Sequence, residues 1–74
     1  MIKPNTQAGR LLVHLQEGKS IDRLSALVDL GIFELSARII DLENHSFQIN
    51  KVKKVITNRF NEETRVVEYS LKVA

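Results

Sequence analysis

The stretch DRLSALVDLGIFELSARIIDLEN, Asp22–Asn44, decides how this chain folds. Asp22 suits an N-cap, because its carboxylate can accept from the free amides of a first helical turn. Leu24, Leu27 and Val28 then fall at i, i+3 and i+4, which predicts a helix over 23–29 with those residues on one face. Gly31 breaks the pattern and lets the chain turn without a Cβ penalty. A second helix is expected over 33–45, with Leu35, Ile39 and Leu42 on one stripe. Two short amphipathic helices joined through a glycine outline a helix-turn-helix.

Working outward, the amino-terminal side predicts a helix over 7–17 capped by Asn5 or Thr6, with Ala8, Leu11, Leu12 and Leu15 on its inner face. Met1–Asn5 reads as a loose tail ahead of it. Gly18 follows as a left-handed C′ residue. Lys19-Ser20-Ile21 is a short extended link, a minimal strand at most, and Ile21 can staple against Ala26. On the carboxyl side the period changes at Phe47 from 3.6 to 2, which predicts an antiparallel hairpin of 48–57 and 64–72. The alternation slips at Lys53-Lys54-Val55, where a bulge is expected. Asn58–Glu63 forms the loop, and Val67, Tyr69, Leu71 and Val73 share one strand face. The expected core is Leu11, Leu12, Leu15, Leu24, Leu27, Leu35, Ile39, Leu42, Ile49, Tyr69 and Leu71. The fold class is therefore α+β, three helices followed by an antiparallel hairpin, the winged-helix arrangement, in a single domain over 1–74.

A chain of 74 residues buries a small core, and without cysteine neither a disulfide nor a thiolate metal site supports it. His14 and His45 are far apart without ligand-spaced companions, so no metal or other cofactor is expected. No apolar run approaches the roughly 20 residues of a membrane span, and the amino terminus lacks a signal-peptide core. The expected location is the cytoplasm. A glycine-rich phosphate loop and a nucleophile elbow are both missing, and nothing suggests that serine, histidine and aspartate meet, so no catalysis is expected.

Charge is unevenly distributed. Residues 1–46 carry five basic and six acidic side chains, net −1, whereas residues 47–74 carry six basic and three acidic, net +3. Between Phe47 and Phe60 stand Lys51, Lys53, Lys54 and Arg59 with no acid among them. Such a block suits phosphates or an acidic protein; it equally suits a solvated strand whose lysines guard an edge. Arg65, across the hairpin, extends it. Along the third helix, Arg38 suits a guanine or a phosphate and Asn44 an adenine edge. Arg38 also lies three before Asp41 and four after Glu34, so a surface ion pair is the competing reading. Phe33 can close the inter-helix turn or contact a partner. Glu34, Asp41 and Glu43 give that helix three acids against one arginine.

Gly31-Ile32-Phe33-Glu34-Leu35-Ser36-Ala37-Arg38-Ile39-Ile40-Asp41-Leu42 and Thr57-Asn58-Arg59-Phe60 resemble a family of small winged helix-turn-helix proteins of bacteriophages and prophages. The resemblance runs from about Thr6 through Leu71 and includes Gly18-Lys19-Ser20-Ile21. It implies the same fold and DNA binding in phage gene regulation, in the cytoplasm of a bacterial host cell. The chain departs from the family pattern at Glu34 and Glu43, where basic residues are usual, and at Ser46 and Asn61, where glycine is common. Two functions follow. The first is a non-catalytic regulator of transcription that binds double-stranded DNA through Arg38, Asn44, Lys51, Lys53, Lys54, Arg59 and Arg65. The second is a module that binds a host protein through the acids Glu34, Asp41 and Glu43. A homodimer, formed through a sheet edge or the first helix, would suit the first.

Overall fold

A computed structural model describes Lys3 and residues 5–72. Three helices, α1 (Gln7–Gln16), α2 (Arg23–Leu30) and α3 (Leu35–Asn44), precede the strands β1 (Ile49–Thr57) and β2 (Glu63–Leu71). Each expected element is present with its ends shifted by two residues or fewer. The amino-terminal tail expected over Met1–Asn5 falls largely on positions outside the described residues, although the Lys3 carbonyl accepts from the Thr6 hydroxyl at 2.7 Å. Val73 lies outside them as well.

The caps explain where the helices begin and end. Thr6 accepts from the Gly9 amide at 3.0 Å, and Asp22 accepts from the Ser25 amide at 2.8 Å. Gly18 and Gly31 adopt φ of +81° and +66°, and the Ile32 amide closes α2 by donating to the Ala26 carbonyl at 3.0 Å. Arg10 of α1 donates from Nε to the Leu30 carbonyl at 3.1 Å, capping α2 from a neighbouring helix. Past α3, Ser46 turns left-handed with φ +71° while the Phe47 amide reaches back to the Leu42 carbonyl at 3.1 Å. Ser46 and Asn61 are the non-glycine residues with positive φ among the described residues. They are also the two positions where the family pattern favours glycine.

Leu11, Leu15, Ile21, Ala26, Ile32, Leu35, Ile39 and Leu42 are buried, with Leu12, Leu30, Phe47, Ile49, Tyr69 and Leu71 half-buried against them. The expected burial of Leu24 and Leu27 is wrong. Leu24 is 69% exposed and Val28 73%, and Leu27 is exposed too. Helix α2 instead turns Ala26 and Leu30 inward, because a small residue lets a short helix lie close to α1 and α3. Ile21 and Ile32, just outside its two ends, fill the volume that its leucines do not.

The strands pair antiparallel from Ile49↔Leu71 to Thr57↔Glu63 without interruption, so the expected bulge at Lys53-Lys54-Val55 is absent. The alternation slips there for another reason. Every β1 residue beyond Ile49 is exposed, and a strand wetted on both faces has no buried side to enforce a period. At its root the hairpin gains a third row. Ile21 pairs with Tyr69, donating to its carbonyl at 2.9 Å and accepting from its amide at 2.8 Å. Beyond that row the hairpin projects as a wing, which stretches the molecule to 43 × 26 × 20 Å.

Truncating Leu42, which is fully buried, should cost about 2–5 kcal/mol, whereas Leu24→Ala on the exposed face of α2 should stay within about 0.5 kcal/mol of the parent. Equal losses in urea unfolding would show that α2 faces the other way. Ser46→Gly relieves a left-handed non-glycine residue and should raise stability by about 0.5–1 kcal/mol, less the extra freedom gained by the unfolded chain.

Candidate nucleic-acid interface

Residues that pair across an antiparallel hairpin point to the same face. On the side that packs against the helices lie Ile49, Lys51, Lys53, Val55 and Thr57, opposite Leu71, Tyr69, Val67, Arg65 and Glu63. The outer side carries Val52, Lys54 and Ile56 opposite Glu68, Val66 and Thr64. The basic block that looked continuous in sequence is therefore divided between two faces. Lys54 is on the outer face, where its Nζ meets Glu68 at 2.8 Å. Lys51 reaches Glu43 of α3 at 3.4 Å. Lys53, Arg59 and Arg65 are in no ion pair among the described residues, and all three are exposed.

The tip of the wing is organised around Asn58, through both its side chain and its backbone. Asn58 Oδ1 accepts from the amides of Phe60 at 2.9 Å and Glu62 at 3.1 Å, and its Nδ2 donates to the Glu62 carboxylate at 3.2 Å. The Asn58 amide donates to the Glu62 carbonyl, while Asn61 takes φ +64° to let the chain turn. Glu62 is thus folded back into the loop. Arg59 and Phe60 project from it, with the guanidinium 5.2 Å from the ring centroid.

Helix α3 is less acidic at its surface than its composition suggests. Arg38 is half-buried with Nε 2.8 Å from Asp41 Oδ2; the N–H does not point along that line, so the contact is an ion pair rather than a linear hydrogen bond. Glu43 is taken by Lys51, and Glu34 alone of the three acids makes no ion pair among the described residues. Glu34 occupies the N-cap without a side-chain cap hydrogen bond, which leaves the first amides of α3 without a protein carboxylate. Asn44 is exposed in the last turn, and His45 Nδ1 donates to the Asp41 carbonyl at 2.9 Å. Phe33 does not pack into the core: it is 76% exposed in the turn before α3, and Ile40 on the helix is 54% exposed.

A cleft of about 370 Å³ joins the two elements, bounded by Arg23, Phe33, Glu34 and Ser36 on the helical side and by Arg65 and Val67 on β2. Arg23 is a site residue that sequence reasoning did not single out. Its signal was the Ile21 strand row, which places the start of α2 beside β2. Of the seven sequence candidates, the fold brings Lys53 and Arg65 onto one face as diagonal neighbours across the hairpin, with Arg59 beyond them at the tip. Arg38, Lys51 and Lys54 are engaged in ion pairs, and Asn44 lies at the far end of α3. Among the described residues no group of three or more histidines and acids converges to hold a metal.

Three helices, a left-handed glycine turn between the second and third, and a projecting two-stranded wing define a winged helix-turn-helix. Residues 6–74 match the family model of the winged helix-turn-helix domain, and the chain belongs to that family. No curated protein and no solved structure matches it. No helix among the described residues is long and apolar enough to cross a membrane.

Asn58→Ala removes the acceptor of two loop amides. Hydrogen exchange at Phe60 and Glu62 should accelerate about fivefold for each hydrogen bond lost, while amides of α1 and α3 keep their rates. Unchanged exchange at both loop amides would show that the turn is held by its backbone alone.

Proposed function

We propose that this protein is a non-catalytic DNA-binding regulator of gene expression, of the phage or prophage type, acting in the bacterial cytoplasm. The observation that supports this best is how the charges are distributed. Lys53, Arg59 and Arg65 on the wing, with Arg23 across the cleft, are cations in no ion pair among the described residues, whereas two of the three acids of α3 are ion-paired. A DNA backbone lying along the cleft meets Arg65 and Arg23 together with the open amides at the start of α3. The wing tip then lies along the same strand. Most of the affinity comes from phosphate contacts, with Lys51 and Lys54 contributing once they exchange Glu43 and Glu68 for phosphate.

The second reading, capture of a host protein through Glu34, Asp41 and Glu43, draws on Glu34 as the one of these acids in no ion pair among the described residues. A gel shift with random duplex DNA at low salt separates the two. The parent should bind, and each phosphate contact removed should flatten the plot of log affinity against log salt by roughly 0.9. Lys53→Ala with Arg65→Ala should therefore bind more weakly on every sequence, with a shallower slope. Glu34→Arg should bind more tightly. No binding by the parent at low salt, with host-protein capture lost in Glu34→Arg, would establish the second reading instead.

A further inference from the structure

The outward surface of α3 has no guanine reader. Its one cation, Arg38, is half-buried and ion-paired to Asp41 at 2.8 Å. What faces away from the core is an apolar ridge: Phe33 ahead of the helix and Ile40 in its middle are exposed, with the small Ala37 between them and Asn44 at the end. A helix that enters a major groove with such a ridge can make only a few kinds of base contact. Apolar side chains contact the C5-methyl of thymine, and asparagine pairs with the N6 and N7 of adenine. Both belong to A·T pairs.

Resting on the DNA reading above, we infer that α3 recognises A·T-rich duplex through thymine methyl groups, with Phe33, Ala37 and Ile40 as the methyl-contacting surface and Asn44 as the adenine reader. The commitment to DNA rather than a protein surface rests on charge. The ridge runs from the cleft that Arg23 and Arg65 border, so a groove held by those cations places its floor against α3. Ala37 keeps the ridge low at its centre, which lets the helix backbone approach the bases. Glu34 and the Arg38-paired Asp41 are the acids on this face suited to a cytosine amine, so a preference for G·C is the competing outcome.

The test uses three short duplexes of equal length: alternating A·T, the same sequence with uracil replacing thymine, and alternating G·C. Uracil keeps every hydrogen bond and phosphate and removes only the methyl. The parent should bind the thymine duplex most tightly, and each methyl it covers should be worth about fourfold over uracil. The double variant Phe33→Ser, Ile40→Ser alters two exposed side chains, and a circular dichroism melt checks that it stays folded. Its thymine-to-uracil ratio should fall toward one while its salt slope stays at the parent value. Equal binding of the thymine and uracil duplexes by the parent, a full ratio retained by the variant, or tighter binding of G·C would each overturn the inference while leaving DNA binding in place. Binding of none of the three at low salt would overturn both.

Discussion

Two backbone hydrogen bonds between Ile21 and Tyr69 hold the wing to the helices. A two-stranded hairpin in water is marginal on its own, and most of this one is exposed. The bridge adds a third row at its root, Ile21–Tyr69–Lys51, and sinks the Ile21 side chain into the core between the helices. It therefore sets the angle at which the wing leaves the body. It also explains how Arg23, two residues along the chain, comes to border the same cleft as Arg65.

Helices α1 and α3 and strand β2 were legible because each carries one consistent buried stripe or alternates over enough residues to show its period. Leu35, Ile39 and Leu42 form such a stripe, and all three are buried. Helix α2 was legible as a helix and misread as a surface. Its most apolar stripe, Leu24, Leu27 and Val28, faces water, and the inward contacts fall to Ala26 and to residues beyond the helix ends. Periodicity finds the greasier face of a helix; it does not detect when the neighbouring turns supply the core. The bulge failed for the opposite reason, since an exposed strand has no burial to keep its pattern regular.

The candidate site was legible as a composition and not as an arrangement. Four basic residues within the nine of 51–59 look alike in sequence, yet the pleat sends Lys54 to one face and Lys53 to the other. Glu43 of α3 is unrelated to Lys51 in the pattern of the helix and adjacent to it in space. Sequence could weigh Arg38 against Asp41 because the two share a helix, three residues apart, and the short ion pair was one of the two outcomes considered. The pairing of Lys51 with Glu43 crosses from helix to strand, and only the fold supplies it.

The wing has one consequence for how copies of the protein coexist. Ile21 covers part of the outer edge of β2, but β1 is the far edge of the sheet, and no strand covers it among the described residues. An open edge is a template for another chain, and adding a strand would bring two β1 segments within about 4.8 Å of each other. Lys51, Lys53 and Lys54 lie along that edge, so like-charge repulsion opposes self-addition. At about 0.1 M salt the screening length is roughly 10 Å and the guard holds; near 1 M it shrinks to about 3 Å, and the guard fails. The side chains proposed to meet phosphates would also oppose pairing of one hairpin with another, and concentrated salt would remove both effects together.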